Sequence, residues 1–179
     1  MRNSPAFVPP IVTSIVLRLN PNCSLNFSLL ELISLTMGPT YAGLFLINKA
    51  IEAYNAIKGK IDADLVVVSG PSVNVELPDV KHIGYVKNLH EMVYACDLLI
   101  SLAGRSTTDE ADVYGTPGIF IPIKNHFEQE ENAKRHGFSF DDIYRLKDLI
   151  PAKLTFGRND AKVSNGAAKA ATLISNLMK

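Results

Sequence analysis

The sequence predicts an α/β chain built on an open, mostly parallel sheet, and three observations lead there. Apolar runs at residues 65–69, 98–102 and 118–123 are short, bounded by turn residues and free of polar alternation, the pattern of strands buried on both faces. Helical stretches separate them, as the crossovers between parallel strands require. Residues 97–133 compress the plan: a buried strand, a small-residue corner at Ala103, Gly104 and Arg105, a helix, then a second strand. Together they describe a Rossmann-like open parallel sheet with helices on both faces. A helix that starts at the carboxyl edge of such a sheet favours an anion, because its first amides lack partners and its dipole points that way.

Taken in order, residues 1–29 read as a linker or the remnant of a preceding domain. Pro5, Pro9, Pro10 and Pro21 interrupt the apolar stretch 11–19, and Asn20, Asn22 and Asn26 favour turns. Residues 30–179 form the regular domain. A strand is expected over 30–37, a tight loop over 38–43 and an amphipathic helix over 44–57. The strand at 65–69 closes at Gly70 and Pro71, a short strand and turn cover 80–86, and a helix over 89–95 leads to the strand at 98–102. After the corner, Ser106, Thr107 and Thr108 supply hydroxyls able to cap the next helix, with Asp109 and Glu110 in its first turn. Gly115 should stop it, and Pro117 bars its continuation. Further helices are expected over 127–135, ended by Gly137, over 143–150, closed by Pro151, and over 161–178.

The 179 residues suit one domain or half of a two-domain enzyme. Eighteen basic side chains balance eighteen acidic ones without a long like-charged run, so no nucleic-acid or anionic-lipid partner is expected. Cys23 and Cys96 stand apart, which fits a reducing cytoplasm and argues against a disulfide or zinc scaffold. No apolar run approaches the roughly 20 residues of a membrane helix, and the proline-containing start lacks the form of a signal peptide.

Two corners can face phosphate, residues 38–43 and 104–107. Neither is followed by Gly-Lys-Ser/Thr, so ATP hydrolysis is not expected. Asp109, Glu110, Ala111 and Asp112 spell a helicase box by chance, with no lysine loop or basic surface beside it. Asp62, Ala63 and Asp64 precede their strand, at the wrong end of the sheet for a ligand, and read as a solvated turn. His82, His90 and His136 show no partners, whereas Tyr114 and Cys96 read as packing.

The run Asp97, Leu98, Leu99, Ile100, Ser101, then Gly104, Thr107, Glu110, Ala111, Gly115, Thr116, Pro117, Ile121, Pro122, His126, Gln129, Asn132 and Ala133 carries a resemblance. In order and spacing it resembles the C-terminal, donor-binding domain of the family 28 glycosyltransferases. That group includes the bacterial peptidoglycan N-acetylglucosaminyltransferase and the small subunit of the two-subunit dolichol-diphosphate N-acetylglucosaminyltransferase. The resemblance runs from about Leu30 to the C-terminus. The first corner departs from the family's Gly-Gly-Thr/Ser-x-Gly-Ala form, since Pro39 and Tyr41 replace small residues and glycine comes one place late, at Gly43.

This resemblance implies one half of a GT-B fold that binds a UDP-sugar. Glu110 would accept from both ribose hydroxyls, which suits a carboxylate; on the residues alone Thr107 and Glu110 equally spell a capping box. Gly38 and Thr40 at the first corner, and Gly104 with the amides of Arg105, Ser106 and Thr107 at the second, would face the diphosphate. The Arg105 side chain either adds a charge-assisted bond or solvates its loop. Val86 would offer its main chain to uracil and Leu89 wall that pocket, though both side chains also read as core. Glu128 and Gln129 would grip the sugar hydroxyls or else form an exposed helix face. His126 would lie near the phosphates or sugar, or remain a solvated loop histidine, a poor metal ligand on its own.

The implied reaction is inverting transfer of a hexosyl group, with N-acetylglucosamine the expected sugar, to a lipid-linked acceptor. UDP leaves, and loop amides and the helix start stabilise its charge, with no cofactor, metal or covalent nucleophile called for. The general base and acceptor site belong to the family's N-terminal domain, so a partner domain or chain is expected, the protein being cytoplasmic and reaching the membrane through that partner. Two alternatives stay open: half of a UDP-N-acetylglucosamine 2-epimerase-like enzyme, and a non-catalytic nucleotide-binding module.

Overall fold

A computed structural model describes residues 14–17, 32–34, 41–69, 80–160 and 166–178. Six strands form one sheet: β1 (Ser14–Leu17), β2 (Leu32–Ser34), β3 (Asp64–Val68), β4 (Lys81–Ile83), β5 (Leu98–Leu102) and β6 (Gly118–Ile121). Five run parallel in the order β4-β3-β2-β5-β6, with Val67 beside His82, Ile33 beside both Leu65 and Leu98, and Ile100 beside Ile119. β1 comes from the stretch read as a linker and runs antiparallel to β3 and β5. The parallel strands grow outward in one direction from β2 and in the other from β5, which makes the β2–β5 boundary the topological switch point. Right-handed crossovers on the two sides of that boundary put their helices on opposite faces.

The helices are α1 (Tyr41–Ile57), α2 (Leu89–Ala95), α3 (Arg105–Tyr114), α4 (Phe127–Arg135), α5 (Leu146–Phe156) and α6 (Gly166–Leu177), with a 3₁₀ turn at Phe140–Arg145. They pack in two groups, α1 against α5 and α2 against α3 against α4. Leu98, Leu99 and Ile100 of β5 are fully buried, so the central strand is covered on both faces as its uninterrupted apolar run predicts. Gly115 ends α3 at φ 67°, and Gly137 follows α4 at φ 79°, both in the left-handed region that favours glycine. Phe120 lies so close over Gly118 that a β-carbon there would strike its ring.

Three expected boundaries move. α1 begins at Tyr41 rather than 44, so the buried Gly43 belongs to its first turn and not to a loop. Pro151 does not close a helix at 150: it sits inside α5, and residues 140–145 wind as 3₁₀ before α5 starts. Proline removes one backbone bond, yet burial of Leu146 and Ile150 and the packing of Leu149 and Leu154 hold the turn together. The last helix is described from Gly166, and its expected start at 161 lies outside the described residues, as do residues 38–40 of the expected loop and the close of β3 at Gly70 and Pro71.

At the edge opposite the carboxyl ends of the strands, Arg158 clamps the ends of α2 and α3. Its guanidinium donates to Cys96 O at 3.0 Å and Thr116 Oγ1 at 2.8 Å, as well as to Tyr94 O, and stacks over the Tyr94 ring at 5.4 Å. Thr116 Oγ1 donates in turn to Val93 O at 2.8 Å. Carbonyls that the last turn of α2 leaves without helical partners are thus met by side chains from elsewhere. Arg158→Ala is expected to destabilise the fold by about 2–3 kcal/mol. Arg158→Lys should recover little of it, because an ammonium cannot serve several carbonyls from a planar fork. Urea unfolding of the three proteins reads this, and an alanine variant with wild-type stability would remove the clamp from the account.

Candidate functional site

The β5–α3 corner lies at the switch point. Ala103 N donates to Ile121 O at 3.0 Å, extending the β5–β6 ladder one residue past the strand, and Gly104 N donates to Leu102 O at 2.8 Å. Gly104 is the N-cap of α3, with extended backbone (φ −68°, ψ 140°) and no side chain closing the helix end. The first helical bond runs from Thr108 N to Gly104 O at 3.1 Å, so the amides of Arg105, Ser106 and Thr107 are left without a helical acceptor. A β-carbon on Gly104 would meet nothing within 4 Å. Among the described residues the helix start is therefore uncapped.

This corrects the sequence-based view of the corner. Ser106, Thr107 and Thr108 do not cap α3, because the extended residue that ends the strand segment is Gly104 and the hydroxyls fall inside the helix. Thr107 is buried, and Thr108 Oγ1 donates back to Arg105 O at 2.9 Å. Asp109 and Glu110 lie in the second turn, so the Thr107–Glu110 capping box does not exist. A capping box forms instead where sequence reasoning did not look: the Ser139 side chain accepts from the Asp142 amide, and the Asp142 carboxylate accepts from Ser139 N at 2.8 Å.

Glu110 is half-buried between the start of α2 and the body of α3. Burial pushes its carboxyl above the ordinary glutamate value, against an opposing pull from His90. Val86 and Leu89, on the approach to α2, are half-buried and packed on the core. On the other flank, Arg105 Nε donates to Asp109 Oδ2 at 2.7 Å, an exposed pair one turn apart, and also feels the charge of Glu128 on α4. Exposed pairs of this kind are weak, so the guanidinium can be redirected.

The loop from β6 to α4 is tied by its own side chains. Gln129 Oε1 accepts from Ile123 N at 3.0 Å, and Glu130 Oε1 accepts from Asn125 N at 2.8 Å, Asn125 having φ 65°. His126 is the N-cap of α4, its Nδ1 accepting from Gln129 N at 3.4 Å. Asn132 Nδ2 donates to Ala103 O at 3.1 Å and joins α4 to the corner. Sequence reasoning gave Asn132 and Glu130 no role, although Asn132 stands in the run that carries the family resemblance.

Gly104, Arg105, Ser106 and Thr107 thus form the start of α3 with Glu110 one turn further on, Glu128 and Gln129 stand on the neighbouring α4 with His126 at its cap, and Val86 precedes α2, which Leu89 begins. Gly38 and Thr40 lie outside the described residues. An apolar cavity of about 330 Å³, lined by Phe45, Leu102, Ile121, Pro122 and Phe140 among others, opens at the same edge against α1. Apart from Lys124 its lining is apolar, whereas the amides that open α3 lack helical acceptors. The histidines read as partnerless do have neighbours. His82 Nε2 lies 2.6 Å from Ser69 Oγ, His136 stacks edge-on against Phe120 at 4.6 Å, and His90 sits in the field of Glu110. Cys96 is buried with its thiol pushed well up by desolvation, and Tyr114 packs edge-on against Tyr94, both as expected.

Because the folded chain holds the Glu110 proton more tightly than the unfolded chain, the stability this group contributes is present below the ordinary glutamate range and lost as pH rises through the raised value. Glu110→Gln should therefore match wild type near about pH 4 and melt above it near about pH 7. Melting curves across that range test this, and a constant offset at all pH values would contradict it.

Residues 45–154 match the family model for the glycosyltransferase family 28 C-terminal domain. An uncharacterized glycosyltransferase of Methanopyrus kandleri is 30% identical over 100 residues, covering 56% of this chain and 28% of that protein. A UDP-N-acetylglucosamine–N-acetylmuramyl-(pentapeptide) pyrophosphoryl-undecaprenol N-acetylglucosamine transferase of Tropheryma whipplei is 33% identical over 86 residues, covering 48% of this chain and 24% of that protein. The chain thus spans about a quarter of the length of these relatives. Among solved structures, the glycosyltransferase SnogD from Streptomyces nogalater aligns at 19% identity and a TM-score of 0.46, over 77% of this chain and 42% of that one. With a family model matched over more than half its length, the chain belongs to the glycosyltransferase family 28 C-terminal domain family.

Proposed function

We propose that this chain is the donor-binding half of an inverting GT-B glycosyltransferase, taking a UDP-sugar for transfer to a lipid-linked acceptor held by a second domain or chain. The observation that carries the reading is the open start of α3 at the switch point, with the half-buried Glu110 carboxylate one and a half turns along the same helix. Five residues of helix rise about 7 Å, a span comparable with that from the ribose hydroxyls to the second phosphate of a nucleoside diphosphate. The unpaired amides of Arg105, Ser106 and Thr107 bind the diphosphate and stabilise the charge that grows on it as the glycosidic bond breaks. Glu110 accepts from the vicinal ribose hydroxyls, and Val86 and Leu89 border the base.

N-acetylglucosamine is the sugar we assign, and a lipid diphosphate the acceptor, on the strength of the Tropheryma whipplei relative, whose own name gives both. Glu128 and Gln129 read the sugar hydroxyls from α4. The general base that takes the acceptor proton belongs to the partner half, which also brings this cytoplasmic domain to the membrane; among the described residues no helix is long and apolar enough to cross one.

Titration calorimetry with UDP tests the reading. Wild type binds, and Glu110→Ala weakens binding by about 10- to 100-fold, the range for a hydrogen bond to a charged group. Removing the ribose 2′-hydroxyl from the ligand costs less in the Glu110→Ala background than in wild type, because the carboxylate that would receive it has gone. No binding at millimolar UDP sinks the proposal. Gly104→Ser offers an independent check: serine caps α3, leaving stability unchanged or raised by a few tenths of a kcal/mol, while its hydroxyl occupies the amides and lowers UDP affinity.

A further inference from the structure

Ala103 links β5 to Gly104, the N-cap of α3, and its two polar groups are held by β6 and by α4, the helix that follows it. Its amide donates to Ile121 O at 3.0 Å, and its carbonyl accepts from Asn132 Nδ2 at 3.1 Å across 29 positions of sequence. Ala103 is wholly buried and Asn132 is 3% exposed. The same peptide unit carries Gly104 N, which donates to Leu102 O at 2.8 Å. The plane linking residues 103 and 104 is thus gripped at both its oxygen and its hydrogen, and the three unpaired amides of α3 follow directly from it.

An asparagine is a costly choice at that place. It is a poor helix former, and its carboxamide is expensive to bury unless paired. Alanine or leucine would serve better in a helix that only had to pack. The side chain nonetheless stands inside α4, three residues after Gln129, and bonds to a different secondary-structure element.

We infer that Asn132 is a positioning residue for the donor site: by holding the Ala103 carbonyl it sets the direction of the Arg105, Ser106 and Thr107 amides and fixes α4, with Glu128 and Gln129, at a set distance from them. It acts through the main chain and touches no ligand atom. The inference rests on the donor-site reading above and adds to it a reason why the anion-facing amides keep their aim without a capping side chain.

The experiment uses the full chain and compares UDP with uridine, followed by amide-shift titration. Asn132→Ala and Asn132→Asp, the second preserving size but replacing the donor by an acceptor, should weaken UDP about tenfold and leave uridine within twofold of wild type. Equal losses for UDP and uridine would mean general damage to the domain and overturn the inference, as would wild-type UDP affinity in both variants. Should the variants fail to fold, scalar coupling across the hydrogen bond from Asn132 Nδ2 to the Ala103 carbonyl is measured in wild type, where it should appear and strengthen with UDP. Its absence overturns the inference. Wild type that shows the coupling but binds no UDP overturns the donor reading itself, so the two failures are distinguishable.

Discussion

A parallel strand buried on both faces has only one kind of place to expose unpaired backbone, its ends, and β5 makes the rest of this structure follow from that. Leu98, Leu99 and Ile100 are sealed between two helical layers, with β1 and β2 along one edge and β6 along the other. The ladder runs one residue beyond the strand, to Ala103 N, and then the chain must leave the sheet. Strand order reverses between β2 and β5, so the crossovers on the two sides diverge. Among the described residues, the amides that open α3 at that place meet no helical acceptor and no capping side chain.

The two edges of the sheet treat their helix ends in opposite ways. At the far edge, carbonyls that end α2 are met by Arg158 and Thr116, side chains brought from 64 and 23 residues away. At the carboxyl edge, the amides that begin α3 are met by nothing among the described residues, although hydroxyls stand one to three places inside the helix. A buried side chain could have closed that end at little cost, and the glycine at the cap leaves the space clear. The half-buried Glu110 repeats the pattern, a charge kept where burial disfavours it. Local stability has been yielded at one end of the fold and secured at the other, the pattern of an edge that receives the ligand proposed for it.

Much of this plan can be read in the residues. The apolar run of β5 is long enough for a strand and too short for a helix, and Gly115 and Gly137 announce helix ends because their backbone angles favour glycine. What the sequence left hidden depends on partners far along the chain. Ser106, Thr107 and Thr108 look like caps until Gly104 is seen to occupy the cap position, a matter of where β5 ends. Pro151 looks like a terminator until Leu146 and Ile150 before it are found buried and Leu154 after it packed on the core. The match of Asn132 to a family pattern gave its place without its function, since nothing local predicts a bond to Ala103. Histidines suffered most: His82, His90 and His136 meet Ser69, Glu110 and Phe120 only through the fold.

The rim around the α3 start is also sorted by hydrogen-bond polarity, and the protein's own contacts do the sorting. Gln129 Oε1 is taken by Ile123 N, which fixes the orientation of the carboxamide and leaves N–H donors as what it can offer outward. His126 Nδ1 accepts from Gln129 N, so in the neutral ring the proton resides on Nε2, again a donor. Ionised Glu110 and Glu128 can only accept. Donors from the amides, Gln129 and His126 suit phosphate and acyl oxygens, whereas the carboxylates on either flank suit hydroxyls. A nucleotide sugar presents that sequence of groups, hydroxyls of ribose, then anionic oxygens, then hydroxyls and an amide on the sugar. A simple inorganic anion would leave both carboxylates without a donor, and a free sugar would leave three amides without an acceptor. The fixed polarity of this rim therefore favours an extended ligand that combines the two, which is the chemistry of the donor proposed for it.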